Sequence, residues 1–397
     1  MPDMGLEVLE KTIEDLLQGL EVEDEDSNEE FSLLYKAHKA RVKHLGIEVH
    51  LRGIIEFSNY CRQDCLYCGL RRSNGRVKRY RMLPDKIIEA AEKAMAIHKF
   101  GTFVLQSGED PGYPPEDLAR VVAAIKDMGA AVTLSVGQWP YEEYKLWKDA
   151  GCDRFLLKFE TSDPVLFHKL KPTTTLKDRL GCFYALRELG YQVGTGIILG
   201  LPGQTSQSIV GDLNLISRLN PEMVSIGPYI PHPDTPLGTR YDSEHNLDPT
   251  SLIRAVLDAI AVSRIMVPYA HIPATTALGV LGKKDKGWIE FGRRYVSASE
   301  PESVGIACFE EGCAGLETWN DPRALALVCG ANVIMPDITP EEFRAAYDIY
   351  PGKADSDGTN LSGIIAEVKT LVSALGMNLS PGRGDSCKPQ FNQGKLM

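Results

Sequence analysis

Residues 102–137, TFVLQSGEDPGYPPEDLARVVAAIKDMGAAVTLSVG, decide how this chain folds. Two apolar runs, TFVLQSG (102–108) and AVTLSVG (131–137), flank a stretch with helical periodicity near 115–128. A strand apolar on both faces, leading through an amphipathic helix into another such strand, is the unit of a parallel sheet.

The alternation continues in both directions. EVHLRGIIEFS (48–58) precedes the unit, and RFLLKFET (154–161), QVGTGIILG (192–200), MVSIGPYIP (223–231), YAHIPATTA (269–277) and ANVIMPD (331–337) follow it. Further helical patterns fall near 84–99, 140–150, 175–189, 205–219 and 249–264. Eight strands mostly separated by helices predict an α/β fold, a (β/α)8 TIM-type barrel whose chemistry sits on the loops after the strands. An open doubly wound sheet is the alternative. It would concentrate polar residues at its topological switch point, whereas nearly every strand here ends in a polar or Gly/Pro cluster.

Residues 1–47 read as an N-terminal helical extension, with helices over 6–20 and 30–45 around the acidic run EVEDEDSNEE. The barrel spans 48–352. Residues 280–325 lack clean periodicity and read as an insertion between strands seven and eight, lying outside the chemistry; so long a loop is usually functional or disordered. Residues 353–397 read as a C-terminal helix and tail, exposed from Asn378 onward.

Composition narrows the function. With 43% hydrophobic and 24% charged residues in 397, the chain has the makeup of a globular protein with a substantial core. A net charge of −11 disfavours nucleic-acid binding. The densest basic run, GLRRSNGRVKRYR (69–81), reads first as a solvated loop that can attract anionic partners. No apolar run approaches the ~20 residues that span a membrane, and the acidic N-terminus lacks a signal or transit pattern. Nine cysteines, an odd count in a long chain, favour a reducing compartment and a cytoplasmic protein.

Three of those cysteines fall within SNYCRQDCLYCG (58–69), as Cys61-x3-Cys65-x2-Cys68 at the end of the first barrel strand. They are too close on a loop for ordinary packing. Zinc usually needs a fourth Cys or His at short spacing, and the next histidine is His98, on a predicted helix. Three thiolates in a tight loop suit a 4Fe–4S cluster with one iron left open.

With Tyr67 just before the last cysteine, this motif resembles the signature of the radical S-adenosylmethionine (SAM) superfamily. The resemblance implies that the open iron chelates the amino and carboxylate groups of SAM. One electron then cleaves the sulfonium and releases a 5′-deoxyadenosyl radical. It further implies cofactor contacts from Tyr67, from Gln106, Ser107 and Glu109 of LQSGED, and from Ser135, Glu160, Met223 and Tyr347. Arg179 would pair with the SAM carboxylate.

Longer blocks narrow this further. IIEFSNYCRQDCLYCGLRR, RYRM, VLQSGED, GLPGQT, IGPYIPHPDTPL, IPATTA and GANVIMPDITP resemble the HydE-type maturases of FeFe-hydrogenase, with methylornithine synthases and biotin synthases as functional relatives. That resemblance implies radical attack on the sulfur of an iron-bound cysteine precursor during H-cluster assembly. The partners it implies are a low-potential electron donor of the ferredoxin or flavodoxin type and other hydrogenase maturases. Biotin synthases need further cysteine ligands on barrel strands, and these strands offer no suitable set. Some relatives carry a second cysteine cluster near the chain's end; YPGKADSDGTNLSGI has no cysteine there, and Cys308 with Cys313 make an incomplete site.

The guest itself is read from charge. Arg154 and Lys158 share one face of strand four, Thr275 and Thr276 offer hydroxyls, and Met335 offers a soft sulfur. Buried charges are costly unless paired, so an inward Arg/Lys pair implies an anionic guest; the resemblance implies that this guest is a small sulfur- or iron-containing substrate. Lysine, the substrate of a mutase, would set its ammonium against both cations, at about 4 kcal/mol for like charges ~4 Å apart in a dielectric of about 20.

Overall fold

The computed structural model describes residues 32–240, 248–298, 321–353 and 361–391. Helix α1 (Ser32–Leu45) precedes strands β1 (Glu48–Leu51) and β2 (Gly53–Ser58). The chain then alternates through α2 (Pro84–His98), β3 (Thr102–Ser107), α3 (Pro115–Asp127), β4 (Ala131–Ser135), α4 (Tyr141–Asp149) and β5 (Arg154–Leu156). Helices α5 (Pro164–Leu170) and α6 (Leu176–Glu188) lead to β6 (Gln192–Leu199), α7 (Ser206–Leu219) and β7 (Met223–Pro228). Helices α8 (Pro236–Thr239) and α9 (Pro249–Met266) lead to β8 (Pro273–Ala274), followed by α10 (Thr276–Lys284), α11 (Trp288–Ala298) and α12 (Pro322–Val328). Strand β9 (Val333–Ile334), α13 (Glu341–Arg344), α14 (Leu361–Ala374) and β10 (Asn378–Ser380) follow.

The 102–137 unit shows why the pattern works. Helix α3 starts on Pro115, whose fixed φ suits a first turn, with Glu116 and Asp117 set against the helix dipole. Leu118, Val121, Val122 and Ile125 recur at helical spacing and are buried against the sheet. Its flanking strands pair in parallel, to β2 and to β5 respectively, and to each other.

Among the described residues the named strands pair in parallel, in a six-stranded sheet β2-β3-β4-β5-β6-β7 and a four-stranded sheet β10-β1-β9-β8. Bridges join the two sheets at both seams. Met223 pairs with His271 just before β8, and Ile54 pairs with Asp337 just after β9. Hydrogen bonds run across each seam, from His271 N to Glu222 O (2.9 Å) and from Ile338 N to Ile54 O (2.9 Å). Eight strands thus form a ring, with β1 and β2 as one strand interrupted at Arg52.

Alternation along each strand sorts the side chains. Ile55 and Phe57 of β2, Phe103 and Leu105 of β3, and Val132 and Leu134 of β4 enter the core beneath the helices. The intervening residues face the barrel interior. Helix α9 is buried over most of its circumference, because it lies between the barrel strands and α1.

Two expectations need correction. The tail from Asn378 is not an exposed terminus: β10 pairs with β1, and the residues after it close the N-terminal end of the barrel. Arg154 donates to Asp385 Oδ1 (2.7 Å) and to Arg383 O (2.8 Å), and Lys388 donates to Glu222 Oε1 (2.9 Å). The described parts of 280–325 are also not irregular. They form α10, α11 and α12, with Leu281, Trp288, Phe291 and Leu325 buried in the main core, and none of their residues from 280 onward lines the large cavity described below. The helix expected over 6–20, Cys308 and Cys313 lie outside the described residues.

Candidate active site

A cavity of about 350 Å³ opens at the C-terminal ends of the strands, where a barrel of this kind carries its chemistry. The loop after β2 forms one wall and brings Cys61, Cys65 and Cys68 to it. Polar ties hold that loop in place. Ser58 Oγ donates to Asp110 Oδ2 (2.6 Å), Asn59 Nδ2 donates to Lys78 O (2.9 Å) and Ala346 O (2.7 Å), and Arg71 pairs with Asp64 (2.7 Å). The backbone of Glu109 donates to Cys61 Sγ (3.4 Å). Gly108 allows this approach, because a Cβ there would run into the Tyr60 carbonyl and the Cys61 side chain.

Among the described residues, no three Cys, His, Asp or Glu side chains converge tightly enough to hold a single metal ion. The three thiols line a cavity wall instead, which is what a larger cluster requires. Burial pushes the Cys61 thiol up to about 11, and burial together with Cys65 and Cys61 raises Cys68 as well. Iron held by these residues would supply the positive charge that such thiols need to ionise.

Most of the residues singled out from the sequence meet in this cavity. Tyr67, Gln106, Ser107, Glu109, Ser135, Glu160, Arg179 and Tyr347 line it, as do Lys158, Thr275, Thr276 and Met335. Glu109 is largely committed: it accepts from Gln63 Nε2 (2.5 Å) and Arg62 Nε (3.3 Å), and Arg179 lies at 3.6 Å. Glu160 adopts a left-handed backbone, φ +68°, a strained conformation for a side-chain-bearing residue that is concentrated at functional sites. Its carboxylate pairs with Lys158 at 3.2 Å.

Arg154 and Met223 stand elsewhere. Arg154 and Lys158 do share parity, but four residues of strand at ~3.3 Å each separate them by roughly 13 Å along the barrel axis. Arg154 therefore lies at the barrel base, fully buried and bonded to the C-terminal tail. Met223 starts β7 at the same depth, where its sulfur accepts from Arg52 Nη1 (3.1 Å) beside a small second cavity. The face inferred from the sequence for Arg154 is correct but its depth is not, and Met223 does not line the large cavity where a cofactor contact was expected.

Sequence reasoning missed an acidic wall. Lys353 Nζ lies 2.5 Å from Glu56 Oε1 and 3.3 Å from Asp337 Oδ2, and all three line the cavity. Glu56 is fully buried, and burial raises its carboxyl to about 8 even with Lys353 beside it. The signal was a lone charge inside the apolar strand GIIEFS, on the interior-facing parity.

Several buried polar atoms along the cavity have no hydrogen-bond partner, including Thr275 Oγ1, Arg179 Nε and Glu56 Oε2. Orphaned donors and acceptors around an open volume fit a polar ligand. Together with the three thiols, this donor set fits a cluster and a zwitterionic cosubstrate.

Residues 55–216 match the Radical SAM superfamily, and the chain is a radical SAM enzyme, a class that uses a 4Fe–4S cluster and SAM. Over 357 residues it is 44% identical to the [FeFe] hydrogenase maturase subunit HydE of Thermotoga maritima, with 88% of each chain covered. Within the superfamily it therefore belongs to the HydE family. The 3-methylornithine synthase of Methanosarcina acetivorans is 30% identical over 287 residues, covering 69% of this chain and 79% of that one. The crystal structure of methylornithine synthase superposes with a TM-score of 0.68 over 94% of each chain at 24% identity, a likeness of fold.

Proposed function

We propose that this radical SAM enzyme acts in the cytoplasm in assembly of the FeFe-hydrogenase H-cluster, on a small anionic ligand whose sulfur meets the adenosyl carbon. The observation that carries this reading is one cavity joining three thiols to Lys158, Thr275 and Thr276, in a chain of the HydE family. When bound, the cluster and SAM supply a 5′-deoxyadenosyl radical by one-electron reductive cleavage.

The chain's own residues then divide the work. Cys61, Cys65 and Cys68 ligate iron. The guanidinium of Arg179 pairs with a carboxylate, Glu160 accepts hydroxyl or ammonium protons, and Gln106, Ser107 and Ser135 fix the amino-acid end. Tyr67 and Tyr347 wall the adenosyl side, and Glu109 positions Arg62, Gln63 and Arg179. Lys158, Thr275 and Thr276 hold the guest's carboxylate above Met335. A ferredoxin- or flavodoxin-type donor supplies the electron, and other maturases are the partners in the pathway.

The mutase reading keeps one supporting observation. Repulsion of a lysine ammonium was argued from two cations; only one of them, Lys158, lines the cavity, and its charge is paired with Glu160. The test supplies the reconstituted enzyme with SAM, reductant and either a ring-closed cysteine derivative or lysine. A carbon–sulfur adduct of the adenosyl group supports the maturase reading, and methylornithine from lysine overturns it.

A further inference from the structure

The basic run after the cysteines contributes none of its charged side chains to the cavity. It carries six basic and no acidic residues between Gly69 and Arg81, in a protein of net charge −11. Three acids reach it from outside: Asp64 pairs with Arg71, Asp234 with Arg76 and Asp110 with Arg81. Arg72, Arg76 and Lys78 are nevertheless exposed, and the Arg76 side chain is 81% accessible despite its partner. The patch thus stays positive on an otherwise acidic molecule.

This loop is built onto the cysteine loop. Arg72 N donates to Gln63 O (2.8 Å), Ser73 N to Asp64 Oδ1 (3.1 Å) and Asn74 Nδ2 to Gly69 O (2.8 Å). Arg79 lies underneath, donating to Leu70 O (2.9 Å), Arg71 O (2.7 Å) and Asn59 O. A surface held this firmly presents its charges in one arrangement, which lowers the ordering cost of binding a partner.

We propose that Arg72, Arg76 and Lys78 form the docking surface for an acidic one-electron carrier protein that reduces the cluster. The inference rests on the radical SAM reading. Charge complementarity selects the partner: an acidic carrier is repelled by most of this molecule and attracted here, over the loop that holds the thiols. The carrier's redox centre is oxidised by one electron and the cluster reduced by one; no proton or group crosses the surface.

The test measures binding of an oxidised acidic flavodoxin to the cluster-loaded enzyme, by flavin fluorescence, alongside SAM cleavage driven by reduced flavodoxin or by dithionite. Between about 50 and about 300 mM salt, affinity should fall at least about tenfold. The R72E/K78E variant should weaken binding by about tenfold or more at low salt and slow flavodoxin-driven cleavage, with dithionite-driven cleavage retained. K93E, on the exposed face of α2, should change neither. Should R72E/K78E fail to fold, R72Q and the salt dependence of the unmodified enzyme carry the same test. Salt-independent binding, binding unaffected by charge removal, equal loss with both reductants, or tighter retention of single-stranded RNA than of flavodoxin would each overturn the docking surface. Absence of dithionite-driven cleavage in the unmodified enzyme would instead overturn the radical SAM reading and leave the binding result standing.

Discussion

Glu56 is a fully buried acid in the barrel interior. Its carboxyl is held near 8 by burial, against 4.5 in an unperturbed chain. The folded state therefore binds a proton that the unfolded state has already released between those values, so this group's contribution to stability falls as pH rises from about 4.5 to about 8. The conservative variant E56Q should flatten that dependence, and melting curves at acidic and mildly alkaline pH would show it. An unchanged pH slope in E56Q would place the titrating group elsewhere. Lys158 is the complementary case on the opposite wall. K158A should lose the small anionic guest while uncoupled 5′-deoxyadenosine release continues, a split between product yield and SAM turnover that chromatography reads directly.

At the scale of elements, the C-terminal tail and α11 do more than their sequences suggest. Asp385 gives the fully buried Arg154 its carboxylate partner at 2.7 Å. Removing one member of such a pair strands the other, and D385A should cost about 3 kcal/mol. The double variant R154M/D385A should recover part of that loss, and denaturant unfolding of the single and double variants measures the difference. Helix α11 contributes Trp288, 1% exposed, whose indole N–H donates to Gly282 O (3.2 Å). W288A should lose about 3–5 kcal/mol. Excising 282–320 would remove this anchor from the core, so such a deletion should destabilise the barrel even though its described residues do not line the cavity. A deletion protein with an unchanged melting temperature would contradict that placement.

For the molecule as a whole, cluster loading and folding are linked. The thiol loop is tied to β3 through Glu109, to the basic loop through Asp64 and to the 340s through Asn59. Iron held there by Cys61, Cys65 and Cys68 would link all of these, and a ligand that binds only the folded state raises its stability by mass action. Reconstitution under anaerobic conditions should raise the melting temperature, and C65S, which should lose both the cluster and SAM cleavage, should show no such rise.

What the sequence determined by itself was periodic or contiguous. The strand–helix alternation announces a parallel barrel because burial on both faces leaves continuous apolar runs, and Cys61, Cys65 and Cys68 are legible because eight residues hold the whole ligand set. The side of each strand facing the interior is equally plain, since parity is a local property. Depth along the barrel axis is not local. It depends on how neighbouring strands are staggered, and so the structure alone separated Lys158 at the mouth from Arg154 and Met223 at the base. The Glu56–Lys353–Asp337 cluster joins residues 297 positions apart at its extremes, 56 and 353, through barrel closure. The tail from Asn378 looked exposed because it is short and polar, yet its charges complete a buried network with Arg154 and Glu222. Polar residues that satisfy one another across long sequence separations leave no periodic trace; only the closed fold, where leaving them unpaired would be costly, brings them into register.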